Sequence, residues 1–143
     1  MVHIDDLVRL RLDAQVLGPM ISRSQFERAA EHFKEVLDRL EGFPESDKVR
    51  FSEALEDEDQ RRDLAIAVNG LMHGKPAIKT RFEHHLATLK RLDLATWPLL
   101  TVWLALRHPR RFRWVDCETA ARTGLTLDWS GFCQSQRGSA PNR

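Results

Sequence analysis

The chain has no tyrosine and only two cysteines, Cys117 and Cys133, among 143 residues. Two thiols 16 positions apart form neither a disulfide framework nor a paired zinc-ligand spacing. The expectation is therefore a pair of reduced thiols in a cytoplasmic protein. Long apolar runs are also missing. The longest, Trp97 to Leu106, ends in Arg107 and falls short of the roughly 18–20 residues that cross a bilayer. The opening MVHIDDLVRL places two acids where a secretory leader needs a basic stretch, so neither a leader nor a membrane partner is expected. Catalytic signatures are absent too. There is no glycine-rich phosphate loop, no G-x-S-x-G, no H-E-x-x-H and no H-x-E followed by C-x-x-C. No cysteine cluster offers to hold an iron–sulfur centre. The expectation is a chain without cofactor or metal, and a non-enzyme rather than an enzyme.

What is present is charge, distributed unevenly. Residues 1–74 hold 10 Lys/Arg against 16 Asp/Glu, net −6, whereas residues 75–143 hold 12 against 5, net +7. A bipolar chain can neutralise itself within one fold, self-associate, or turn its basic half toward an anionic partner. The length suits one domain with a substantial core.

Apolar periodicity is helical throughout. Ile4, Leu7, Val8, Leu10, Leu12, Val16 and Leu17 predict a first helix that Gly18-Pro19 ends. Ser24 with Glu27 reads as a capping box opening a helix over 25–41, whose stripe is Phe26, Ala29, Ala30, Phe33, Val36, Leu37 and Leu40, with Gly42 beyond its end. Ser46 reads as the next N-cap, with Asp47 in the first turn and a helix to about residue 56. The acidic run 56–59 opens a central helix that Asn69-Gly70 stops. Residues 71–76 read as a connector to a helix over 77–92. Thr96 caps a helix to Arg107, with Trp97-Pro98 in its first turn. Pro109 breaks the chain, 110–115 cross in extended form, and Asp116 caps a short helix ending at Gly124. The fold expected is all-α, a compact single-domain bundle of six or seven short helices packed orthogonally rather than up and down. Residues 1–133 form the domain, and the polar stretch 134–143 reads as a disordered tail.

Several apparent constellations dissolve on geometry. His84 and His85 are neighbours about 100° apart on a helix and cannot face one ion together. The acidic run 56–59 lacks the alternation of a calcium loop. Glu27, Glu31 and Glu35 share a helix face, but Arg28, Lys34 and Arg39 intermingle with them and no second acidic helix answers.

Residues 92–125 concentrate three of the four tryptophans with a dense arginine cluster. Arg107, Arg110, Arg111 and Arg113 alternate with His108, Phe112 and Trp114. Basic residues interleaved with aromatics can hold a phosphate backbone and stack a base. The competing reading is a loop whose Phe112 and Trp114 plug the core while the arginines are solvated.

The order within this stretch is a leucine at Leu92, a short turn, an apolar helix, a Pro-containing loop, then Val115-Asp116 opening a helix that closes on Arg122-Thr123-Gly124-Leu125. It resembles the helix-hairpin-helix DNA glycosylase superfamily, in which a Val-Asp pair delivers the catalytic aspartate. The resemblance would put Asp116 at that position. The match departs from the family where Leu94 and Thr96 replace the hairpin glycines, Trp97-Pro98 replaces the following polar residues, and Glu118 stands in place of a histidine. No lysine occupies the nucleophile position. The resemblance thus implies a degenerate, noncatalytic version.

The expectation that emerges is a noncatalytic helical module contacting nucleic acid or a nucleoprotein through Arg107, Arg110, Arg111, Arg113 and Trp114, supported by Lys79, Arg81, Lys90 and Arg91. The alternative is a protein–protein or self-association module. An enzyme built on Asp116, or on the acids of the helix over 25–41, ranks third.

Overall fold

A computed structural model describes residues 3–138. Among them are nine α-helices and no strand: α1 Ile4–Leu12, α2 Ala14–Ser22, α3 Phe26–Asp38, α4 Glu45–Ala54, α5 Glu58–His73, α6 Ile78–Arg91, α7 Trp97–Arg107, α8 Cys117–Thr123 and α9 Trp129–Gly138. The described residues are all-α, with more helices than the six or seven expected. No helix among the described residues is long and apolar enough to cross a membrane.

The apolar run Trp97 to Leu106 becomes the hub. Nine of the 11 residues of α7 are buried. A helix apolar on all sides must be surrounded, and α1, α4, α5, α6 and α8 all pack on it. Trp103 is fully buried, with its ring centroid 5.4 Å from Phe33 of α3 and 5.8 Å from Phe51 of α4. Inside α7 the Thr101 hydroxyl donates to the Trp97 carbonyl at 2.6 Å and accepts the Val115 N–H at 2.8 Å. That relay fixes the segment leading into α8. A second aromatic cluster, Phe82, Phe112, Trp129 and Phe132, seats α9 against α6 and the loop after α7.

Several local expectations are overturned, each by a packing requirement. Gly18-Pro19 does not end the first helix; it lies inside α2, and the break falls at Asp13, whose ψ is 153°. Pro19 removes one ladder bond, and burial of Leu17 and Met20 on either side outweighs that loss. Ser24 does not cap α3. It adopts φ 57°, and the Ser24 and Gln25 amides reach back to the Ile21 and Met20 carbonyls, closing α2 as a Schellman motif. The helix read as 25–41 accordingly begins at Phe26 and ends at Asp38. Asp93 closes α6 in the same way, at φ 59°.

The N-cap of α4 is Pro44, not Ser46. Asp47 is buried and accepts the Thr96 hydroxyl at 2.8 Å, so it serves the N-terminus of α7 rather than only that of its own helix. Asn69-Gly70 does not stop α5, which continues to His73 because Leu71 and Met72 extend the buried stripe of Leu64, Ala65 and Val68. After α7, residues 109–111 form a turn and 112–116 have no regular secondary structure, with Asp116 itself extended. The tail also differs. Residues 134–138 are helical, held where the Gln136 amide and carbonyl bridge the Arg113 backbone at 2.9 and 2.7 Å. The remainder of that expected tail, 139–143, lies outside the described residues. The caps at Thr96 and Asp116, and the left-handed Gly124 at φ 65°, stand as read.

The Thr101 relay generates a test. Thr101→Val keeps shape but strands the buried Val115 N–H, and should cost about 1–3 kcal/mol in chemical denaturation. Thr101→Ser should retain most of the stability.

Candidate functional site

The arginine-rich loop is divided by its own aromatics. Phe112 is buried against Phe132, with ring centroids 5.4 Å apart. Trp114 is half-buried and packs edge-on against Phe43 at 5.3 Å. Both rings pack toward the core, Phe112 fully and Trp114 in part. Pinning residues 112 and 114 inward separates the arginines. Arg107, Arg110 and Arg111 fall on the side of the 109–111 turn. Arg113 follows Phe112 along the extended segment, with its backbone tied to Gln136.

On the turn side the structure brings together groups far apart in sequence. Arg81 of α6 feels the charges of Arg107 and Arg111, and burial together with those neighbours lowers its affinity for a proton. His108 is pushed below the ordinary imidazole range by burial, then by Arg107, Arg111, Arg81 and His73. His73 is depressed first by burial and also by Arg107 and Arg81, against the opposing Leu12 carbonyl and Asp13. Five basic side chains therefore share one corner where α5, α6 and α7 meet. Among the described residues, no ion pair involves Arg107, Arg110 or Arg111. Beside the corner lies a cleft of about 420 Å³, in which His73, Arg9 and Arg107 meet Asp5 and Asp13.

Other members of the expected set are tied to structure or spread along α6. Arg81 itself is largely structural: its guanidinium donates to the Pro76 and Leu71 carbonyls at 2.8 and 2.9 Å, capping the end of α5. Arg91 is held by Asp63 at 3.0 Å, and that bond keeps the Asp63 carboxyl below its usual range. Lys79 and Lys90 sit near opposite ends of α6, about 16 Å apart along the axis. Sequence reading passed over His73 as a member of the corner. Its position at the last turn of α5 becomes apparent only once that helix is seen to run through Asn69-Gly70.

No protein-family model, curated protein or solved structure matches this chain. Chemistry must therefore be read from the geometry alone. Asp116 is exposed and accepts the Thr119 N–H at 2.6 Å, and that amide holds its carboxyl below the usual range. It does not line the cleft beside the arginine corner. Glu35 is bound by Arg11 at 2.8 Å, which ties that member of the acidic face of α3 to structure. Partial burial, Asp47 and Asp116 push the Cys117 thiol up, away from the thiolate form. No group of three or more His, Cys, Asp or Glu among the described residues is placed to hold a metal.

A second feature lies between α5 and α6. A groove of about 350 Å³ is floored by Ile66, Ala67, Gly70 and Leu71, and His85 forms part of its wall. His84 is exposed whereas His85 is 1% exposed, as their separation around the helix requires. Neither ring nitrogen of His85 has a hydrogen-bond partner. The Ala67 and Leu99 carbonyls lie near enough to favour a proton, but burial dominates and lowers the pKa to about 4. The imidazole is therefore neutral at pH 7.

This has a pH consequence. The unfolded chain binds a proton at His85 near pH 6.5 while the folded chain does so only near 4, so stability is lost as pH falls through that window and is unaffected above it. His85 alone should contribute a loss of about 3 kcal/mol by pH 4. Urea denaturation at pH 7.5, 5.5 and 4.5 checks it. H85L should flatten the slope, leaving the smaller share from His73 and His108; an unchanged slope in H85L would refute the assignment.

Proposed function

We propose that this chain is a noncatalytic helical module that binds an anionic partner, the phosphate backbone of a nucleic acid, through the corner formed by Arg107, Arg110 and Arg111 with His108, His73 being spent on the Leu12 carbonyl. The observation that carries the reading is the crowding of Arg107 and Arg111 with Arg81 and His108, at a site where neither Arg107 nor Arg111 has an ion pair among the described residues. Such an arrangement is electrostatically unfavourable in isolation and is relieved when phosphates approach. Arg81 contributes field rather than contact, since its donors are taken by α5 and the following turn. With Phe112 and Trp114 packed inward, the contact is to backbone charge and carries little sequence preference.

Fluorescence anisotropy with a labelled 16-base-pair duplex and the matching single strand, titrated across salt, tests this. Binding should weaken steeply with salt. Replacing Arg107, Arg110 and Arg111 together by Ala should lower affinity by tenfold or more at low salt and flatten the log–log salt slope by roughly 2–3. Loss of binding in that variant with unchanged folding supports the site; equal binding by variant and parent rejects it.

A second reading rests on the acidic stretch at the α4–α5 junction, where residues 56–59 are all exposed. Opposite the arginine corner in sign, it offers a head-to-tail contact between copies. Light scattering at low and high salt separates the two readings, because self-association would dissolve with salt in the absence of any nucleic acid.

A further inference from the structure

The groove between α5 and α6 combines three properties not required by packing. The first is open space where a side chain would be expected. Gly70 occupies the interior of a 16-residue helix, and a Cβ built there would meet nothing within 4 Å. Glycine at such a position costs about 1 kcal/mol relative to alanine, and no close approach by another element demands it. The second is lining chemistry. The wall is apolar along Ile66, Ala67 and Leu71, and Ile66 is 48% exposed although most of the large apolar side chains are buried. The charged residues at its ends are already occupied: Asp63 by Arg62 and Arg91, Arg81 by two backbone carbonyls. The third is the His85 imidazole, buried in the wall, whose nitrogens make no well-formed hydrogen bond although the Ala67 and Leu99 carbonyls lie near them. Buried polar groups almost always have partners, and an unpartnered pair on one ring costs stability unless something supplies them.

We propose that this groove is a binding site for a small uncharged molecule with an apolar body and one hydroxyl group, the hydroxyl pairing with His85. The volume is within the range of small-ligand pockets. A neutral imidazole carries one N–H and one lone pair on diverging sides of the ring, so one hydroxyl pairs with one nitrogen, and because it can both donate and accept it suits either tautomer. A carboxylate or ammonium is disfavoured, because no free charge of opposite sign faces the centre of the groove. An apolar molecule without a hydroxyl would fill the space but leave the ring unpaired.

Phenol is the probe, with toluene and benzoate as comparators, in two-dimensional NMR titrations of the full chain including the imidazole nitrogens. Phenol should shift amides of α5 and α6 together with the His85 ring resonances. Toluene should bind several-fold more weakly, and benzoate more weakly still. Gly70→Leu fills the groove without a steric neighbour at its Cβ, so it should fold with equal or higher Tm and lose phenol binding by about tenfold or more. Gly70→Ala serves as the milder variant should the larger side chain unfold the chain. In H85L the preference for phenol over toluene should vanish while apolar binding persists. The proposal is overturned if phenol shifts no residue of the groove at tens of millimolar, if the shifts leave the His85 ring unmoved, if benzoate or toluene binds as well as phenol, or if a folded Gly70 variant retains full affinity.

Discussion

A helix buried on every side has no water to satisfy its polar groups, and α7 imposes that condition on the rest of the chain. Its first turn is served by Thr96, whose hydroxyl oxygen accepts the Leu99 N–H at 3.3 Å while donating to Asp47 of α4 at 2.8 Å. Asp47 is thereby buried against the positive end of α7, where a carboxylate is favoured. Midway along, Thr101 satisfies the Val115 amide. Packing around Trp103 then places α3 and α4 by their phenylalanines, and α5 and α6 close the remaining sides. The position of the arginine corner follows from this. Residues 107–111 leave the end of a helix that cannot move without exposing its apolar surface.

Helix C-termini in this fold are finished by long cationic or aromatic-ring donors more than by glycine. The last carbonyls of α1, at Arg11 and Leu12, accept from His32 at 2.9 Å and His73 at 2.7 Å. Arg61 donates to Leu55 at the end of α4, and Arg81 to Leu71 near the end of α5. Each satisfies orphan carbonyls and meets the negative end of a helix dipole. The cationic composition of the chain is thus partly structural. Distinguishing a capping arginine from a free one requires the partner, which lies as many as 61 residues away in the case of His73 and Leu12.

That distance is the measure of what could be read beforehand. The stripe Phe26 to Leu37, the Thr96 cap, the Asp116 cap and Gly124 were all legible, because each is decided within a single turn of chain. Ser24 was misleading because serine serves equally as an N-cap and as a left-handed C′ residue, and the preceding helix claimed it. Asn69-Gly70 carries the composition of a stop, yet the burial of Leu71 and Met72 carries α5 past it. The helix α9 was illegible locally, since its reason for existing is the contact of Trp129 and Phe132 with Phe82 and Phe112. For the same reason the arginine cluster was visible as composition, but its division was not. Phe43 and Phe132 decide which way residues 112 and 114 face, and neither is close in sequence to both.

Arg81 joins the two features that stand apart from the core. It borders the α5–α6 groove and contributes field to the arginine corner, while its own hydrogen bonds fix the end of α5. The partition of charge on either side of it is physically coherent. Where Arg81 is partly buried and its donors are spent on carbonyls, the neighbouring space is apolar and holds a neutral histidine. Where Arg107 and Arg111 reach solvent, neither has an ion pair among the described residues, although Asp5 and Asp13 border the adjoining cleft. One guanidinium, placed by the need to finish a helix, thus borders both surfaces: it lines the groove between α5 and α6, and its charge is felt at His108 and His73.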